Sequence, residues 1–125
     1  MKALTLTARI LLGLIFVVFG LNGFLHFLPQ PPMPNAAKSF FGGLAATGYM
    51  LPLLFATQVL GGALLLLGMV PLALLILAPV IVNIVAFHIF LAPDGLPLAI
   101  VVAALELLLA WVHHEVYAPL FGLRA

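Results

Sequence analysis

The sequence predicts an all-α integral-membrane protein, a four-helix bundle whose helices cross a bilayer as a single domain over residues 1–125. Three observations carry this expectation. Apolar residues make up 66% of the chain and charged residues only 6%, against about 45–50% and about 25% in water-soluble domains. Apolar runs long enough for the roughly 20 residues of a transmembrane helix alternate with proline- and glycine-rich breaks. A soluble four-helix bundle needs a polar face on every helix, and residues 61–67 and 74–82 contain no polar side chain. The formal net charge of +1 is too small for the basic footprint of nucleic-acid binding. The chain has no cysteine, which excludes disulfide scaffolds, thiolate metal or cluster sites and dithiol redox chemistry.

Span one covers Leu4 to Leu28 and is interrupted by Thr5, Thr7, Arg9, Asn22 and His26. Lys2 and Arg9 ahead of an apolar stretch imitate a secretory signal. No small-x-small cleavage pattern ends it and more spans follow, so it is expected to stay in the mature protein. Residues 29–34, PQPPMP, can neither sustain a helix nor sit unpaired in hydrocarbon, and read as an extramembrane loop. Asn35 is expected to cap a short interfacial helix over AAKSFFGGLAATGY, with its separation from the next span left open.

Span two covers residues 50–68, with Pro52 tolerated in its first turn. The junction Gly68-Met69-Val70-Pro71 allows only a tight reversal, so span three, residues 71–91, forms an antiparallel hairpin with span two. Pro79 is expected to kink span three one turn before Asn83. Ala92-Pro93-Asp94-Gly95 is a turn by composition, and span four runs from Leu96 to Tyr117. Four spans put both termini on one side. Lys2, Arg9 and Arg124 on that side, against Lys38 on the other, place the termini in the cytoplasm by the positive-inside tendency. Trp111 and Tyr117 then mark the inner interface.

Polar side chains at membrane depth are costly and face a bundle interior or a water-filled cavity. At about 1.5 Å per residue, Gln58, Asn83 and Glu106 fall near mid-membrane, and Asn22, His26 and His88 in the outer half. These six residues are the expected pocket. Asn22 and His26, four residues apart, share a stripe of span one, whereas Asn83 and His88 are separated by about 140° on span three. In span four, Ala99, Ala103, Glu106, Ala110, His113 and Tyr117 are spaced as a packed seam.

Glu106 is the leading catalytic or binding candidate. A carboxylate at the membrane centre costs about 2.5–3.5 kcal/mol on insertion scales, so it either carries its proton or is held by donors such as Gln58, Asn83, Asn22 or a histidine. Two readings stand: a hydrogen-bond knot that fixes packing, or a small polar pocket open to the outer face that binds a quinone or another amphipathic ligand or relays a proton. A metal set of His26, His88 and Glu106 lacks any close-spaced ligand pair, and no metal is expected. His113 and His114 diverge by about 100° on a helix and make a poor chelate. Ser39, the sole serine, has no paired base. Gly42-Gly43 and Gly61-Gly62 read as close-packing positions. Gly13 and Gly20 lie opposite Asn22 and offer a tight-packing face to a second copy or to another membrane protein.

Three segments, RILLGLIFVVFGLNGF at residues 9–24, GYMLPLLFATQVLGGALLLLG at 48–68 and NIVAFHIFLAPDGLPLAIVVAALELLLAW at 83–111, resemble the DoxX family of small four-span bacterial membrane proteins. The resemblance spans most of the chain. It implies a bacterial cytoplasmic (inner) membrane location and a link to membrane oxidoreductase systems, among them quinone-coupled thiosulfate oxidation and oxidative-stress complexes. Many members carry a glutamate where Gln58 stands and a lysine where Gly23 stands, so this chain lacks an acid and a base of that pocket. Animal relatives of the broader group act as assembly chaperones. The resemblance therefore implies either an accessory subunit of a quinone-linked oxidoreductase or a noncatalytic assembly module for another membrane protein.

Overall fold

A computed structural model describes residues 2–28 and 32–122. Residues 29–31 of the proline-rich segment, and Arg124, lie outside the described residues. The helices are α1 (Lys2–Leu25), α2 (Asn35–Ala46), α3 (Met50–Leu67), α4 (Val70–Phe90), α5 (Leu96–Val112) and the short α6 (His114–Tyr117), with 3₁₀ turns at Pro93–Gly95 and Ala118–Phe121. There is no strand among the described residues, and the fold is all-α. The four long helices are each long and apolar enough to cross a membrane, α5 together with the turn before it. The side chains they turn outward are large and apolar, with Leu67, Val82, Phe90 and Leu107 between 69% and 78% exposed. A belt of this kind is the surface that lipid solvates, and the chain is a multi-pass membrane protein.

α1 packs on α3 and α5, and α4 packs on the same two helices, so the order around the bundle is α1, α3, α4, α5. Phe16, Leu12, Leu65, Leu74, Leu77 and Leu109 fill the centre and are essentially inaccessible. Association in lipid gains little from hydrophobic burial and depends on close packing, which glycine supplies here. A Cβ on Gly62 would stand 2.7 Å from the Gly13 carbonyl oxygen and 2.8 Å from the Val17 nitrogen, and one on Gly61 would stand 2.5 Å from the Leu77 side chain. The adjacent pair thus lets α3 approach α1 with one residue and α4 with the other.

Gly13 and Gly20 belong to the same contact. A Cβ at Gly20 would meet the Phe55 carbonyl oxygen at 3.0 Å, and one at Gly13 would meet the Gly62 carbonyl oxygen at 3.1 Å. The face expected to meet a second copy is therefore consumed within the chain. α1 buries a half-cylinder wide enough to hold both these glycines and Asn22. Gly42 and Gly43 have nothing within reach of an added Cβ, so unlike Gly61 and Gly62 they are not packing positions.

The helix ends have local causes. α1 stops at Leu25 rather than Leu28 because His26 takes a left-handed backbone, φ 53°, and the Leu28 amide donates to the Asn22 side-chain oxygen at 2.7 Å. Asn35 starts α2 without a side-chain cap hydrogen bond, so it lies in the first turn instead of capping it. Thr47 separates α2 from α3: its hydroxyl donates to the Leu44 carbonyl at 2.7 Å and accepts from the Met50 amide at 3.0 Å. Gly68, at φ 93°, closes α3 with the paired bonds Met69 amide to Leu64 carbonyl and Gly68 amide to Leu65 carbonyl, the geometry that favours glycine at a helix C-terminus. Pro79 lies inside the continuous α4.

α5 ends at Val112, five residues before the expected end at Tyr117. His113 Nδ1 lies 2.9 Å from the Leu109 carbonyl and His114 Nδ1 lies 2.7 Å from the Trp111 carbonyl, so side chains compete with backbone amides for the last acceptors of the helix. The buried stripe of α5 is Ala99, Val102, Glu106 and Leu109. Ala103, Ala110 and His113 are only partly buried, so the expected seam is rotated toward Val102 and Leu109.

Candidate functional site

Inside the end of the bundle that carries α2 lies a cavity of about 710 Å³ walled by residues from all five helices α1 to α5. Aromatic side chains dominate it, including Phe16, Phe19, Phe55 and Phe87. Phe41 and Met33 close it on the side of α2, where Phe40, Phe41 and Phe87 pack with ring centres 5.2–5.8 Å apart. The α2 segment is thus a roof fastened by aromatic contacts.

Asn22, His26, Gln58 and His88 all line this cavity. Asn22 is buried and its carbonyl oxygen is taken by the Leu28 amide, which leaves its NH₂ group as a donor. Gln58, also buried, stands about 12 Å from the start of α3 at the usual rise per residue. The His88 ring rests on Gly95, where an added Cβ would overlap the imidazole. With Nδ1 3.0 Å from the Ala92 carbonyl, that nitrogen donates, and Nε2 of the neutral ring is left as an acceptor. His26 is more exposed. Because α1 ends just before it, backbone reversal rather than helical periodicity brings it to the cavity beside Asn22.

The other two expected members lie elsewhere. Asn83 is exposed on the outside of α4 and is not among the lining residues. Glu106 is buried, with its side chain in a separate space of about 550 Å³ between α4, α5 and the C-terminal turn. Of the six polar residues expected to share a depth, four line one cavity and Glu106 borders another. The second space is walled by Leu74 and Ala78 of α4 and by Trp111, Tyr117 and Phe121. Glu106 Oε1 is fully buried and has no hydrogen-bond partner among the described residues, so it takes no part in a hydrogen-bond knot with Gln58, Asn83 or Asn22. The Tyr117 hydroxyl donates to the Pro71 carbonyl at 2.7 Å and fastens α6 to the start of α4. Burial first, and then the charge of Glu106, push that phenol up to about 12.

At the end of the bundle where α1 begins, Lys2, Arg9 and His113 border a third space of about 430 Å³. The Arg9 guanidinium lies over Gly68, 3.2 Å from where a Cβ would stand, at the C-terminus of α3, where the helix dipole favours a cation. No group of three or more His, Asp or Glu side chains with metal-binding geometry occurs among the described residues.

What sequence reasoning missed is the aromatic part of the site. Phe40 and Phe41 read as an interfacial face, and nothing in their spacing connects them to Phe87 of α4. No protein-family model, curated protein or solved structure matches this chain.

Proposed function

We propose that this protein is a bacterial inner-membrane protein with cytoplasmic termini that binds a ring-bearing amphipathic ligand of the quinone class in the cavity roofed by α2, as an accessory component of a quinone-linked oxidoreductase system. One observation carries the reading: a cavity of about 710 Å³ lined by aromatic and aliphatic side chains with four polar residues converging on it. Ligand sites have volumes of about 300–1,000 Å³ and are mostly apolar with a few placed polar groups. The Asn22 and Gln58 amides offer N–H donors to the carbonyl oxygens of a quinone, and His88 Nε2 offers an acceptor to the hydroxyl of its reduced form. The quinone class and the bacterial location draw their support from the sequence resemblance to the DoxX family. Gln58 is a neutral amide and Glu106 lies outside the cavity. The polar groups named here therefore bind and orient a ligand, with imidazole as the side chain among them that can exchange a proton.

The test is equilibrium binding of decylubiquinone to the full chain in neutral maltoside micelles. Saturable binding is expected. Gln58→Leu, which keeps the shape and removes the amide, should weaken it about tenfold, the equivalent of one net hydrogen bond of about 1.4 kcal/mol. Ala99→Leu, which fills the cavity from α5, should weaken it further, and Asn83→Leu should not change it. Absence of saturable binding, or full affinity in a helical and folded Ala99→Leu variant, would refute the reading.

A further inference from the structure

Glu106 presents a problem that the quinone reading leaves unsolved. It is 8% exposed, near the middle of a membrane-spanning helix, and its Oε1 is completely buried with no donor among the described residues. Buried polar groups in proteins are almost always satisfied, and an exception calls for a partner or a function. Oε1 itself is closed off from solvent, while the residue stands at the edge of open space. It borders a space of about 550 Å³ whose remaining walls are aliphatic residues of α4, α5 and the C-terminal turn, the rings of Trp111, Tyr117 and Phe121, and the imidazole of His114.

The chemistry of this wall is selective. In its ionised form a carboxyl group in low dielectric attracts a cation strongly and rejects an anion, so a cation is the partner that favours losing the proton. Aromatic ring faces also attract cations, most of all the face of tryptophan, and one face of Trp111 is already stacked on His114, with ring centres 5.0 Å apart and planes 22° apart. Arg9, a basic residue at this end of the bundle, borders the separate space beside Lys2 and His113 and does not line the Glu106 cavity. A hydrated inorganic cation gains nothing from a lining this apolar. A cation that carries its own apolar groups satisfies both the carboxylate and the walls. We propose that Glu106 and the aromatic wall beside it form a binding site for a lipophilic organic cation, an ammonium or phosphonium whose apolar substituents fill the space between α4, α5 and the C-terminal turn.

Glu106 lies about 15 Å from the start of α5 at the usual rise per residue, so the cation must leave the headgroup layer to reach it. The site differs in location and in charge preference from the cavity roofed by α2, and it stands or falls independently of the quinone reading.

The chain has one tryptophan, Trp111, which borders this space and is otherwise 70% exposed, so saturation of its quenching, and not quenching itself, reports on the site. The full chain in neutral maltoside micelles is titrated with tetraphenylphosphonium, and separately with tetraphenylborate, an anion of nearly the same shape. Saturable quenching is expected with the phosphonium and not with the borate. Glu106→Gln should weaken phosphonium binding by about tenfold or more, the scale of losing a buried charge pair, and Asn83→Leu should leave it unchanged. Because Glu106→Gln can also alter packing, Ala78→Phe provides a second route: it fills the space from α4, keeps the carboxylate, and should abolish saturation. Added phosphatidylethanolamine that competes with the phosphonium would identify a lipid ammonium as the source of the cation; absence of competition would leave a free lipophilic cation. Equal quenching by the borate, unchanged affinity in Glu106→Gln, or saturable binding retained in Ala78→Phe would overturn the proposal.

Discussion

Replacing Gly62 by alanine tests the packing of the bundle most directly. The added methyl would stand 2.7 Å from the Gly13 carbonyl oxygen and 2.8 Å from the Val17 nitrogen, and both are helix backbone atoms that cannot rotate away. Carbon-to-oxygen contacts between helices settle at about 3.3–3.6 Å, so α1 must back away from α3 by about 0.6–0.9 Å. Overpacking of this kind costs about 1–3 kcal/mol. The substitution also gains about 1 kcal/mol of helix propensity, which Gly42→Ala isolates, since nothing lies within reach of a Cβ at that position. Gly62→Ala should therefore be less stable than Gly42→Ala by about 1–3 kcal/mol. Gly61→Ala should fall between them, because its obstacle is the Leu77 side chain and a side chain can shift part of the way. Reversible unfolding in mixed maltoside and dodecyl sulfate micelles, followed by helical circular dichroism, measures the difference. If Gly62→Ala proves as stable as Gly42→Ala, α1 and α3 do not meet at these glycines and the order of helices around the bundle is wrong.

Tyr117→Phe removes the bond to the Pro71 carbonyl and should cost about 0.5–1.5 kcal/mol in the same unfolding assay. In the wild type the phenol rises from 10.0 to about 12 on folding. The fold favours its neutral form, so this contribution is complete below pH 10 and is lost as pH rises toward 12. A pH-stability profile that Tyr117→Phe leaves unchanged over that window would contradict the burial of the phenol. The cysteine-free sequence also permits a clean test of orientation. In intact bacterial cells, Asp94→Cys should react with a membrane-impermeant maleimide and Thr5→Cys should not, and the reverse pattern would place the termini outside.

The spans were legible because their signal is collective. α3 covers Met50–Leu67 where residues 50–68 were expected, and α4 covers Val70–Phe90 where 71–91 were expected, since each boundary is a change in composition that several residues share. The ends that moved did so through single side chains. The Asn22 carbonyl oxygen captures the Leu28 amide, and the His113 and His114 side chains bond the carbonyls of Leu109 and Trp111. Apolar run length gives no sign of such bonds. The glycines were read by type and not by neighbour: both pairs looked alike in sequence, yet a Cβ at Gly61 or Gly62 would meet a neighbouring helix while one at Gly42 or Gly43 would meet nothing within 4 Å among the described residues.

The candidate pocket divided for a related reason. Rise per residue fixes the depth of a side chain from sequence alone, and on that axis Gln58, Asn83 and Glu106 agree. The direction in which each points depends on which helices flank its own. In the order α1, α3, α4, α5, the helices α3 and α5 stand diagonally, so Gln58 and Glu106 can meet only across the centre, and the centre is occupied by Phe16, Leu74 and Leu77. Asn83, at the same level, sits on the outer surface of α4. A shared level in the bilayer is therefore compatible with two chambers of opposite preference, one offering amides and imidazoles to a neutral ring and one offering a carboxylate to a cation. Because the probes for the two chambers differ in charge and the variants differ in helix, loss of one binding activity with the other intact is the result that the two proposals together predict.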